Sequence, residues 1–155
     1  MTIKPTVLKQ YQDKVDHAAL KVRSIKVPPE GWLCTARKAL DMSPAQLARR
    51  LSVTRANVSQ AEKAELSGGV TIKTLQTMAE SMGYRFVYAI VPEHKVEDIL
   101  TARAKQKAMH VVEETHKQMA LEEQSLSEKQ IRFEIERVQH DLLSNMPYDF
   151  WDDEC

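Results

Sequence analysis

The chain is poor in the residues that mark several functional classes. Only four glycines occur among 155 residues, and none falls into Gly-x-Gly-x-x-Gly or Gly-x-x-x-x-Gly-Lys-Ser/Thr. Loops whose backbone N–H groups cradle nucleotide phosphates are thereby excluded. Cysteine is limited to Cys34 and Cys155, too few for a disulfide scaffold and too far apart for a Cys-x-x-Cys site. The small number of glycines and prolines also excludes collagen-like and Gly/Pro-rich disordered chains. The longest uncharged apolar run, residues 86–91, is far short of the roughly 20 residues that span a bilayer. Residues 1–10 lack the apolar core of a signal peptide. Together these absences predict a soluble, cytoplasmic protein with reduced thiols and no membrane partner.

Metal-binding patterns are scarce too. Histidine occurs at positions 17, 94, 110, 116 and 140. Glu113-x-x-His116 is one half of a di-iron helix motif, but no second copy follows. His110 and His116 lack the i, i+4 spacing of a zinc pair on one helix face. No metal, no cofactor and no catalytic residue is expected, so the chain reads as a non-enzyme.

What is present begins with charge. Lys/Arg and Asp/Glu cancel at 22 each, yet residues 1–92 hold 14 basic and 7 acidic residues while residues 93–155 hold 8 and 15. A basic half suits a polyanion; solvated helix faces are the plainer explanation. Periodicity makes the chain mainly α-helical. Apolar positions at steps of three and four mark a helix over 6–25, which Pro28, Pro29 and Gly31 end. Further helices are predicted at 32–40, 43–51, 54–63 and from Thr71 to Gly83, then over 94–124 and from Ser127 to about Leu143. Ser43 with Pro44 and Gln46, and Ser127 with Gln130, are capping boxes. Leu33, Ala36 and Leu40 mark one side of the second helix. Residues 84–91 are aromatic and β-branched and stop at Pro92, which predicts one short β-strand. A lone strand lacks a partner in its own chain, so Tyr84, Phe86, Tyr88 and Ile90 are expected to pair with a second subunit in a homodimer; an apolar tail of the preceding helix is the alternative. Three regions result: 1–30, an N-terminal helix and linker; 31–92, the central domain; and 93–155, an acidic helical C-terminal region.

The motif that carries chemistry lies within residues 32–83. Two short helices are separated by a tight turn, with Leu47, Ala48 and Leu51 inward on the first and Val58 inward on the second. Small Ala48 permits a close crossing. This is the pattern of a helix-turn-helix, whose second helix enters the major groove of double-stranded DNA. The segment resembles the Cro/repressor (XRE) family of five-helix DNA-binding domains. Members of that family pair an Arg on the first helix with a Glu late on the recognition helix, and Arg37 and Glu62 stand at those positions as a structural ion pair. The usual turn Gly is replaced by Ser52, at a cost of roughly 1 kcal/mol for a left-handed conformation, and Gly68-Gly69 stands in for a missing later Gly.

Helix geometry assigns the remaining roles. The first turn of the recognition helix and the turn after it point Arg55, Ala56 and Gln60 at base edges, flanked by Asn57 and Ser59. Arg can grip guanine at two atoms, Gln can grip adenine, and an Ala methyl can meet thymine's. Ser43, Gln46, Thr54, Lys63, Thr71 and Lys73 sit at helix starts and loop edges, where phosphate is contacted. Ser43, Thr54 and Thr71 serve as caps in either case. One recognition helix reads few bases, so two copies on a palindromic operator are expected.

The flanks add a second resemblance. Gly31-Trp32-Leu33, Thr74-Leu75 before Ala79, the 88–92 segment, 119–124 and Phe150-Trp151-Asp152 are similar to the proteins called mobile mystery protein A. Such proteins are encoded beside a Fic-domain protein in a toxin–antitoxin-like arrangement. The resemblance implies an autoregulatory repressor and antitoxin with a Fic-domain toxin as partner. The Ser/Thr-x-x-x-Glu-Gly/Asn helix of one known class of Fic inhibitors has no match here. Tyr148, Phe150 and Trp151 in the acidic tail are the expected partner anchors, with packing against the C-terminal helices as the alternative. For residues 93–155, dimerisation or scaffolding stands beside toxin binding. A protein-interaction or inhibitor module whose helix-turn-helix is only a fold is the rival to DNA binding.

Overall fold

The computed structural model describes residues 5–122 and 126–153. Seven α-helices occur among the described residues: α1 (Pro5–Val22), α2 (Trp32–Ala39), α3 (Pro44–Leu51), α4 (Arg55–Ser67), α5 (Ile72–Ser81), α6 (Val96–Leu121) and α7 (Glu128–Ser144). They form two compact units, one of residues 22–90 and one of residues 1–21 with 91–155. No helix among the described residues is long and apolar enough to cross a membrane. Cys155 lies outside the described residues.

In the unit of residues 22–90, α2 to α5 enclose one core of Leu33, Leu47, Ala48, Val58, Ala61, Met78 and Met82, with Ala36, Met42, Leu51 and Leu75 packed against it. The helix starts follow the local chemistry. The Ser43 hydroxyl accepts from the Gln46 N–H at 3.2 Å while the Gln46 side chain accepts from the Ser43 N–H at 2.7 Å. Thr54 and Thr71 accept from Asn57 and Thr74 N–H groups, each at 3.1 Å. Each cap satisfies a donor that the helix itself cannot. Glycines end two helices: Gly68 caps α4 in the left-handed region, and Gly83, with φ +85°, turns the chain after α5.

Two expectations for this region are corrected. The five-helix domain is not met: residues 31–92 hold four helices, α2 to α5. The chain turns at Gly83 into a β-branched, aromatic segment that disfavours helix, so no fifth helix forms there. The short β-strand is not formed either. No strand occurs among the described residues, and 84–91 carries no regular secondary structure, because a single segment has no neighbouring edge to bond. Leu40, on the same side of α2 as Leu33 and Ala36, is its exposed C-terminal cap. The recognition helix runs four residues beyond Lys63, to Ser67.

The start of α2 is solved differently. Its cap position is Gly31, which has no side chain to offer. The carboxylate of Glu65 accepts from the Trp32 N–H at 2.6 Å and from the Leu33 N–H at 2.8 Å. A carboxylate on those donors also complements the positive end of the helix dipole. Gly31 sits at φ +84° and ψ 163°, a backbone region essentially confined to glycine, and a Cβ there would lie 2.9 Å from the Glu65 carboxylate. Glycine and glutamate thus define one another.

The other unit is organised by α6. Its cap position, Lys95, supplies no side-chain bond, and Asp16 of α1 accepts from the Val96 N–H at 2.9 Å instead. Ala19, Ala104, Ala108, Val112 and Phe150 are buried. The small residues of α6 permit close packing, and Gln139 of α7 donates to the Thr101 carbonyl at 3.1 Å. The tail is held by basic side chains: Arg103 donates to the Phe150 and Asp152 carbonyls at 2.8 and 2.6 Å, and buried Lys107 to the Asp149 carbonyl at 2.5 Å. Phe150, expected as an exposed anchor, is only 1% exposed. Its ring is the bulkiest buried apolar group of the tail, and burial outweighs display.

Candidate functional site

The site is built on α3, the turn that follows it, and α4. Three residues separate the helices. Ser52 adopts the left-handed conformation, φ 55° and ψ 44°, and the Val53 N–H returns to the Ala48 carbonyl at 3.0 Å. A non-glycine residue holds this conformation because the packing on both sides demands it. Leu47 and Val58 are fully enclosed and Ala48 nearly so, which fixes the crossing of the two helices.

At about 100° per residue, the two faces of α4 are easily separated. Val58 and Ala61 are buried, and Glu62 and Glu65 share their side and bond to α2. Ala56, Ser59, Gln60 and Lys63 form the opposite stripe, with Arg55 beside it at the helix start. All are exposed except half-buried Ser59, while exposed Asn57 lies at the stripe's edge. The structure thus brings together the residues expected at base edges and adds Lys63 in their midst, although Lys63 was expected at phosphate. Arg55 occupies the first position of α4, where the helix dipole is unfavourable to a cation. Local stability does not explain an arginine there.

The expected phosphate residues fall into two kinds. Ser43, Gln46, Thr54 and Thr71 are engaged as caps, which leaves the Ser43 and Thr54 hydroxyl hydrogens to donate outward. Lys63 and Lys73 are exposed, with no carboxylate within ion-pair distance among the described residues. The remaining acids of this unit set the balance. Residues 22–90 hold ten Lys/Arg and five Asp/Glu, and three of those acids are turned to internal partners. Glu62 binds Arg37, Glu65 caps α2, and Glu30 binds Lys38. The Lys38 ammonium holds the Glu30 carboxyl below the ordinary range. Two of these contacts use up a base each, so the unit keeps its excess of five positive charges, which suits an anionic surface.

The Arg37–Glu62 pair holds the recognition helix in place. Arg37 Nε donates to Glu62 at 2.7 Å and Nη1 to the Met42 carbonyl at 2.8 Å, with Nη2 3.4 Å from the second carboxylate oxygen. The side chains are only 8% and 14% exposed. The hydrogen bond to Glu62 raises the Arg37 pKa against the opposing effect of burial. Cys34, beside this pair, is a structural thiol: burial and a hydrogen bond to Glu30 push its pKa up, away from thiolate chemistry.

Glu65 was missed by sequence reasoning, and its signal was available. A helix start at Trp32 preceded by Gly rather than Ser, Thr, Asp or Asn needs an acceptor from elsewhere. A glutamate three residues after Glu62 shares its helix face. Arg50 was missed as well; its Nε donates to the Ser81 carbonyl at 2.9 Å and ties α3 to the end of α5.

Elsewhere, Tyr148 is fully exposed and Trp151 is 56% exposed, the latter edge-on to buried Phe150 with ring centroids 5.1 Å apart. Tyr148 and Trp151 are therefore displayed by a tail that Phe150 roots. No group of three His, Cys, Asp or Glu side chains that could hold a metal occurs among the described residues.

Comparison with known families agrees with this geometry over one segment. Residues 35–88 match the helix-turn-helix family model HTH_3, which is of the XRE type. No curated protein and no solved structure matches the chain. The likeness of the flanks to mobile mystery protein A stands on the residues of those flanks alone.

Proposed function

From a DNA-binding helix-turn-helix segment of a transcription-regulating family, we propose that the chain is a cytoplasmic, sequence-specific repressor acting as a homodimer on a palindromic operator. The observation that carries this reading is the exposed stripe of α4. Ala56, Ser59, Gln60 and Lys63 are presented on the face opposite the buried one, and Arg55 stands exposed beside them at the helix start, where the helix dipole favours an anion. Ser43, Gln46, Thr54, Thr71 and Lys73 surround it at helix starts, where phosphates are met. The direct test is fluorescence anisotropy of the full chain on a duplex from upstream of its own gene, against a scrambled duplex, over a salt series. The expected result is selective binding at least about 1,000-fold tighter than non-specific binding, with log Kd changing linearly in log salt. Equal, weak binding to both duplexes would reject the reading in favour of an interaction module.

The second half of the proposal is an antitoxin role against a Fic-domain partner, supported by the resemblance of the flanks and by the acidic balance of residues 93–155. Tyr148 and Trp151, not Phe150, are its contact residues. Tyr148→Ala with Trp151→Ala is expected to weaken partner capture by about tenfold or more, with thermal unfolding and operator binding unchanged. Phe150→Ala is expected to destabilise its own unit by about 3–5 kcal/mol, visible in denaturant unfolding. Unchanged partner affinity in the Tyr148/Trp151 variant removes the tail from the interface.

A further inference from the structure

Residues 84–90 lead out of α5 along the surface of the helix-turn-helix unit. The Tyr84 N–H closes the turn on the Ala79 carbonyl at 2.9 Å, and the Tyr84 hydroxyl donates to the Ala36 carbonyl at 3.1 Å. Beyond Tyr84, no backbone hydrogen bond joins 85–90 to any described residue. Phe86 is half-buried, whereas Val87, Tyr88 and Ile90 are 66%, 71% and 85% exposed. The rings of Phe86 and Tyr88 stack with centroids 5.9 Å apart, as side chains two residues apart do when they share one face of an extended chain. The segment is thus rooted at one end and apolar, with unpaired backbone, at the other. Such an edge is a template for pairing with another chain.

We propose that residues 84–90 pair antiparallel with the same residues of a second copy, and that this two-stranded ribbon is the dimer interface. The inference rests on the DNA-binding reading for its purpose, since two recognition helices need a two-fold axis, but the oligomeric state tests it separately. Identical segments form an isologous contact when they run antiparallel about that axis. Centring the axis on Val87 gives the greatest overlap. Phe86 then faces Tyr88 of the second copy, Tyr84 faces Ile90, and Arg85, the one charge in the segment, faces Ala89 rather than another arginine. Aromatic and β-branched cross-strand pairs of this kind stabilise antiparallel ladders. An isolated two-stranded ribbon is marginal, but here Tyr84 and Phe86 bind each strand to its own helical unit. Aromatic side chains bring about 150 Å² or more each, which places the contact at the small end of specific interfaces.

The test uses the full chain with Cys34→Ser and Cys155→Ser. In that background Val87→Cys is expected to form a covalent dimer under mild oxidation, because residues opposite one another across the axis lie about 4.5–5.5 Å apart at Cα. Arg85→Cys and Ala89→Cys are expected not to, their own copies lying about 13 Å apart in this register. Val87→Asp is expected to weaken the dimer at least about tenfold by sedimentation equilibrium, since like charges then oppose each other. At dilutions where both chains are monomeric its melting temperature should not fall, because Val87 is exposed in the single chain; where the wild type is dimeric, loss of association lowers it. A dimer that survives Val87→Asp unchanged, or a wild-type chain that remains monomeric at high micromolar concentration, overturns the ribbon. If the ribbon fails while the wild-type chain prefers its operator duplex, the DNA reading stands. If Val87→Cys cross-links but no duplex is preferred, the ribbon stands and the DNA reading falls.

Discussion

Glu62→Ala is expected to destabilise the unit of residues 22–90 by about 3–5 kcal/mol. The reason is the position of Arg37. Its guanidinium is almost enclosed and directs hydrogen bonds to Glu62 and to the Met42 carbonyl. Removing the carboxylate leaves a buried cation without a counter-charge. At roughly 0.05–0.15 kcal/mol per residue, a unit of this size holds only about 4–10 kcal/mol in all, so the variant should lie close to unfolding at ambient temperature. In calorimetry the transition should fall by about 15 °C or more. Two further variants separate pair from charge. Arg37→Met with Glu62→Leu removes both partners and should recover much of the stability, because a well-packed apolar pair is often as stable as a buried ion pair. Lys38→Ala breaks an exposed pair with Glu30 and should shift the transition by less than about 4 °C. A Glu62→Ala protein that melts with the wild type would show that the pair does not hold α4.

That pair also shows how much was legible in the sequence. Arg37 and Glu62 lie 25 residues apart, a separation no local rule connects; the family resemblance connects them, and the geometry then gives the reason. The capping boxes at Ser43 and Ser127 were legible from spacing alone, because their chemistry lies within four residues. The left-handed turn at Ser52 was legible because helix-turn-helix packing demands it there. The Glu65 cap of α2 was not found: its donors lie 32 and 33 residues away. Phe150 failed for a similar reason. An acidic aromatic tail has the composition of an exposed segment, and only the tertiary bonds from Arg103 and Lys107 turn its ring inward. The segment at 84–91 reads as a strand by composition, but a strand is a property of a pair of segments, and one chain supplies only one.

Arg55→Ala with Gln60→Ala is expected to abolish most of the preference for the operator while leaving the fold intact. Both residues are exposed, and neither takes part in an internal hydrogen bond or ion pair of its side chain among the described residues. Removing a cation from the first position of α4 should, if anything, favour the helix. The thermal transition is therefore expected to stay in place. A bidentate contact discriminates by about 1–3 kcal/mol, so removing two per recognition helix should lower the ratio of operator to scrambled binding by about 30-fold or more. Lys63→Ala supplies the contrast. An ammonium on a phosphate carries no sequence code, so the variant should bind all duplexes more weakly and lower the salt slope by about 0.9 for each phosphate no longer neutralised. Its position within the exposed stripe allows a different outcome, in which selectivity falls and the slope is kept; that result would move Lys63 from phosphate to base edge. Unchanged selectivity in the Arg55/Gln60 variant would take sequence reading away from α4 altogether. On the other helix of the motif, Arg50 is tied to the end of α5 and the Gln46 side-chain oxygen to its own cap, which leaves exposed Arg49 as the residue of α3 to substitute next.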